Sequence, residues 1–114
     1  MTAATPATPA CLTVLTTTDS ADRAAELARG VIEAGLAACA QVSAPVTSVY
    51  RWQGAIETAE EWQVLFKTTA ARYEALEAHL KAAHGYDTPE IIALPVVRGS
   101  AAYLAWVAEE TTAP

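Results

Sequence analysis

The chain has 114 residues, the size of one domain, and carries a formal net charge of −6. That balance repels phosphate backbones and argues against nucleic-acid binding, and no apolar stretch reaches the length of a membrane span. Hydrophobic residues make up 53% of the chain, enough for a core, but many are alanine, so the few large apolar side chains must be well placed.

Met1 to Pro9 is Ala, Thr and Pro, with neither a basic start nor an apolar run. It reads as a disordered tail over 1–9 rather than a secretion signal or anchor, ahead of a single domain over 10–112. The two cysteines, Cys11 and Cys39, form no Cys-x-x-Cys pair, so a reducing, cytoplasmic setting is expected. Leu12 to Thr17 alternates apolar and β-branched residues and predicts a first strand. Asp19 or Ser20 offers a helix N-cap, and Ala24, Leu27, Ala28, Val31 and Ile32 follow at helical spacing. Gly35 stops that helix as a left-handed residue.

From Leu36 to Trp52 the pattern is strand, interrupted by Pro45, which implies an edge, a bend or a bulge. Val46, Ser48, Tyr50 and Trp52 share one face. Gln53-Gly54 marks a turn. Glu60 to Thr68 predicts the next strand, with Trp62, Val64 and Phe66 on one face and Glu61, Gln63, Leu65 and Lys67 on the other. Thr68 or Thr69 caps a second helix whose buried stripe is Tyr73, Leu76, Leu80 and Ala83, and Gly85 ends it. Ile91 to Val97 is a nearly continuous apolar strand, with Pro95 marking an edge or bulge. Ser100 starts a short last helix carrying Tyr103, Leu104, Trp106 and Val107.

The order strand, helix, strand, strand, helix, strand, plus a terminal helix, is the α+β ferredoxin-like βαββαβ plan. Leu36 to Trp52, if extended, spans roughly 55 Å, whereas a domain of this size is about 35 Å across. The central hairpin must therefore bend at Pro45, project beyond its core, or both. A projecting hairpin bearing Tyr50, Trp52 and Trp62 exposes aromatics and strand edges, which favours an obligate oligomer.

Several segments, in order, resemble the CutA divalent-cation tolerance family: Leu36-Ala37-Ala38-Cys39-Ala40-Gln41-Val42, Ser48-Val49-Tyr50-Arg51-Trp52-Gln53-Gly54, Glu61 through Thr68, His84-Gly85-Tyr86-Asp87-Thr88-Pro89-Glu90-Ile91-Ile92, and Tyr103-Leu104-Ala105-Trp106. The resemblance implies a homotrimer similar to the nitrogen-regulatory PII proteins, with long hairpins locking the subunits. It also implies a role in divalent-metal tolerance, with copper the proposed ion and no established catalysis. The chain departs from the family at Gly85, where proline is usual, and at Asp87, where glutamate is usual. Some metal-binding relatives carry a cysteine at the position of Thr16 and a histidine at that of Ala83; of that cluster this chain keeps only His84.

Cys39 and His84 are the candidate metal ligands. Cys39 suits a soft metal or a redox-sensitive thiol, and its plainer reading is a small core residue. His84 ends a helix, where the dipole alone favours it, and as a ligand it needs partners such as Cys39, Asp87 or Glu90. His79 lies off the same-face spacing and reads as solvent-exposed. Trp52, Lys67, Tyr86 and Glu90 are the candidate ligand-binding residues of a cleft between subunits, with Tyr103 and Trp106 as further aromatic lining. Lys67 and Glu61, on one strand face, read either as an ion pair or as polar lining for a small anion. Other uses of the fold fit less well: Thr16 to Ser20 has neither the Cys-x-x-Cys of a metallochaperone nor the glycines of a phosphatase loop. A Cys39–His84 nucleophile pair has no evident oxyanion site. The sequence therefore favours a non-catalytic trimer binding a divalent metal ion; a PII-like sensor of a small anionic metabolite, or a scaffold, is the alternative.

Overall fold

The computed structural model describes residues 10–112, so the tail expected over 1–9 lies outside the described residues. The elements follow in the order β1 (Cys11–Thr18), α1 (Ala21–Glu33), β2 (Cys39–Val42), β3 (Val46–Trp52), β4 (Ala55–Thr69), a 3₁₀ turn (Ala70–Arg72), α2 (Tyr73–Ala83), β5 (Ile92–Pro95) and α3 (Ala101–Glu110). All strand pairings are antiparallel, in the order β2-β4-β1-β5, with β3 also pairing β4. Counting β2 and β3 as one interrupted strand, this is the ferredoxin-like sheet.

Ser20 forms the N-cap of α1, its hydroxyl accepting from the Arg23 N–H at 3.0 Å. Gly35 ends the helix at φ +71°, the left-handed conformation its position predicts. Ala24, Leu27 and Val31 are buried, while Ile32, on the flank of the stripe, is exposed. In α2, Leu76 and Leu80 are buried and Ala83, at the helix end, is exposed. These side chains pack on Val14, Val64 and Phe66 of the sheet to form the core. Each fully buried leucine contributes about 1.5–3 kcal/mol of hydrophobic stabilisation.

Two capping expectations change. Thr68 does not cap the second helix; its hydroxyl is buried and donates to the Leu36 carbonyl at 2.7 Å. Gly85 does not itself end the helix: the C-cap of α2 is His84 in an extended conformation, because its ring is tied to β1.

The break at Pro45 is a bulge. Val42 pairs with Val64 and Val46 with Glu61, so Ser43, Ala44 and Pro45 oppose only Trp62 and Gln63. The Ser43 hydroxyl accepts from the Gln63 N–H at 2.9 Å and so replaces a ladder carbonyl. Beyond the bulge, β3 and the first half of β4 project as a hairpin closed by Gln53 (φ 49°) and Gly54 (φ 82°), the double positive-φ pair of a type I′ turn. The molecule accordingly measures 53 × 35 × 24 Å.

Helices α1 and α2 cover one face of the sheet. On the other face, α3 packs at the Lys67 end, and Leu15, Leu65, Ile92 and Leu94 extend beyond it. Ile92 and Leu94 are exposed there, with no element among the described residues covering them.

Candidate functional site

The residues after α2 build one wall of a cleft. The His84 imidazole bonds the Thr17 carbonyl through Nε2 at 2.7 Å and the Tyr86 N–H through Nδ1 at 3.1 Å. A carbonyl only accepts and an amide N–H only donates, so these partners select the neutral tautomer protonated at Nε2. Both ring nitrogens are thereby occupied in fixing the loop. Tyr86 continues the tie: its ring lies 4.8 Å from that of His84, and its hydroxyl donates to Glu61 Oε2 at 2.9 Å. Burial, the Glu61 hydrogen bond and the nearby negative charges of Glu61 and Asp19 hold the Tyr86 phenol protonated well above the usual tyrosine range.

The opposite wall is the hairpin. Ser48, Tyr50 and Trp52 alternate on one face of β3, the face that carries Glu61 on β4. Between the walls lies a cavity of about 640 Å³. Its carboxylates are Glu61, Asp87 and Glu90, its aromatics Tyr50, Trp52 and Tyr86, and its hydroxyls come from Thr17, Ser48 and Thr88; among the described residues no Lys, Arg or His lines it. The local field thus favours cations.

Of the residues singled out from the sequence, Trp52, Tyr86 and Glu90 line this cavity, and His84 anchors its loop. Lys67 lies elsewhere: its ammonium sits 5.5 Å from the Tyr103 ring centroid, and Tyr103 stacks against Trp106 at 5.6 Å. The expected aromatic lining therefore divides into two groups. Lys67 and Glu61 do not pair, because six residues of extended strand separate them by roughly 20 Å. Cys39 pairs with Lys67 in the ladder, whereas His84 reaches Thr17, whose own row is Gln63. Cys39 and His84 thus stand four rows apart, about 13 Å along the strand. Among the described residues, no three His, Cys, Asp or Glu side chains come together to hold a metal ion. A soft-metal centre on Cys39 and His84 is not assembled within one protomer. His79, expected to be exposed, is half-buried, with Nε2 close over Gly30 of α1.

Sequence reasoning missed Tyr50 as cavity lining, although its alternation with Trp52 was visible. It also gave Glu61 the wrong companion, since its bond to Tyr86 spans 25 residues and leaves no spacing signal.

Comparison with known proteins is consistent throughout. Residues 12–110 match the family described as CutA1 divalent ion tolerance protein. The divalent-cation tolerance protein CutA of Thermus thermophilus is 41% identical over 92 residues, covering 81% of this chain and 89% of its own. Human protein CutA is 41% identical over 88 residues, covering 77% of this chain and 49% of its own, so this chain spans about half of that relative. The structure of CutA from Synechococcus elongatus superposes with a TM-score of 0.87 at 39% identity, covering 92% of this chain and 93% of that one. CutA1 from a psychrotrophic Shewanella superposes with a TM-score of 0.89 at 34% identity, covering 92% and 98%.

Proposed function

The chain belongs to the CutA1 divalent ion tolerance family, and from that premise we propose that it is a non-catalytic, cation-binding protein of metal-ion homeostasis that works as a homotrimer in the cytoplasm. The observation that carries this reading is the cleft between the β3–β4 hairpin and the 84–90 loop, which among the described residues presents three carboxylates and no basic side chain. Oxygen donors of this kind suit hard divalent cations. The trimer is supported by the uncovered apolar sheet face and by the projecting hairpin, both of which need a partner surface. Two free cysteines are compatible with a reducing compartment.

Copper is the narrower version of the proposal and would draw on Cys39 and His84. For His84 this requires releasing the Tyr86 N–H from Nδ1, and for Cys39 it requires a ligand from a second subunit. The anionic-metabolite alternative finds less support, because the cleft lacks a basic group and Lys67 is engaged with Tyr103. Native mass spectrometry, first metal-free and then with Mn(II), Zn(II) and Cu(II) titrated in, tests the reading. A trimer taking up about one ion per chain is expected. Loss of Mn(II) in Glu61→Gln/Glu90→Gln assigns the ion to the cleft, whereas loss of Cu(II) in Cys39→Ser/His84→Gln assigns it to the softer pair. A trimer that stays bare with all three ions removes the metal-binding reading.

A further inference from the structure

Glu61 is nine-tenths buried, at 9% exposure, yet no Lys, Arg or His among the described residues pairs with it. One of its oxygens accepts the Tyr86 hydroxyl; the other accepts no hydrogen bond among the described residues. Glu61 lines the cavity and its second oxygen is not sealed from solvent, so a cation entering the cleft can supply the counter-charge that the protein does not. The adjoining walls are aromatic. Within one protomer, Tyr50 and Trp52 leave 43% and 45% of their surface open, on the hairpin face they share with Glu61, and Tyr86 faces them from the loop.

The cleft is larger than a bare metal ion occupies. The space of about 640 Å³ falls within the range of small-molecule sites, about 300–1,000 Å³. Among the described residues no three acidic, His or Cys side chains converge on one point, so negative charge is spread along the cavity rather than focused. Spread carboxylates beside open aromatic faces form the recognition chemistry of organic ammonium ions: the acids neutralise the charge, and the rings attract the cationic head and cover its carbon skeleton.

We propose that this cleft binds an organic ammonium compound, with one cationic head at Glu61, the carbon chain against Trp52 and Tyr50, and, in a diamine, the second head at Asp87 or Glu90. The proposal rests on the reading that the cleft is a cation site and narrows the class of cation. Isothermal titration of the full chain with 1,4-diaminobutane in metal-free buffer tests it, with a parallel titration of Mn(II).

Saturable binding near one diamine per chain is expected. Glu61→Gln keeps an acceptor for Tyr86 while removing the charge, and should weaken binding about tenfold or more; Trp52→Leu should weaken it independently. Absence of saturable diamine binding, or binding that neither variant alters, overturns the proposal. Mn(II) binding without diamine binding overturns it and leaves the divalent-cation reading standing. Diamine binding without Mn(II) binding supports it and counts against a hard divalent ion at this cleft. Binding of neither overturns it and counts against the cleft as a cation site.

Discussion

At the scale of single residues, the cleft depends on one relay: Thr17 holds His84, His84 holds the Tyr86 backbone, and Tyr86 holds Glu61. The first and last links join the 84–90 loop to the sheet, so the loop's position depends on side chains rather than on strand pairing. Tyr86 gives this relay a signature in alkali. Its folded pKa is raised, chiefly by burial and then by the Glu61 hydrogen bond, whereas an unfolded tyrosine loses its proton near pH ~10. Above that pH the folded protein keeps a proton that the unfolded chain has released, so stability falls as pH rises. The contribution is fully present below pH ~10 and is lost as pH climbs through the folded value. The melting temperature should therefore fall more steeply with pH in the native chain than in Tyr86→Phe, the two curves converging above pH ~10. Parallel curves from pH 8 to 12 would contradict this account.

At the scale of elements, two glycines that look alike in the sequence do different work. Both Gly35 and Gly85 follow a helix, and both read as its stop. Only Gly35 has a positive φ, at 71°, whereas α2 is ended by His84 in an extended conformation. A Cβ at Gly35 meets open space, so the penalty for alanine there is conformational, about 1 kcal/mol. A Cβ at Gly85 makes only ordinary contact with Arg23, at 3.7 Å, and alanine there should change stability by less than about 0.5 kcal/mol. Urea unfolding of Gly35→Ala and Gly85→Ala reads the contrast. Equal losses in the two variants would mean that Gly85 is also conformationally required. The same local logic holds at the bulge, where Pro45 ends one ladder and the Ser43 hydroxyl replaces the missing carbonyl.

At the scale of the whole molecule, the protomer is more extended than its length requires. Its radius of gyration is 15.8 Å, against about 13 Å for a compact domain of similar size, and the excess lies in the hairpin. The apolar face of the sheet beyond α3 is uncovered among the described residues, with Leu94 64% exposed. If three copies bury that face, light scattering should give three times the 12.0 kDa chain mass. Leu94→Asp should lower the mass toward that of the monomer while the far-ultraviolet circular dichroism stays native, because this side chain supports little within one protomer. A monomeric native chain, or a variant that stays trimeric, would count against this face as the interface.

The element order was legible in the sequence because it rests on short-range physics: a period of two in Leu12 to Thr17, helical spacing from Ala24 to Val31, proline and glycine at the breaks. The same periods correctly put Glu61, Gln63, Leu65 and Lys67 on the face opposite Phe66, and the ordered motifs from Leu36 to Trp106 carried the family. They said nothing about which residues of that face meet a common partner. Glu61 and Lys67 looked like companions, yet an extended strand holds them at opposite ends, one against Tyr86 and the other against Tyr103. Cys39 and His84 looked like a ligand pair, yet the ladder sets them four rows apart. The decisive contacts bridge 67 residues at His84–Thr17 and 25 at Tyr86–Glu61. Only the packing of α2 against the sheet, and the bulge that aims the hairpin, brings those positions together, since local periodicity contains no term for distant neighbours.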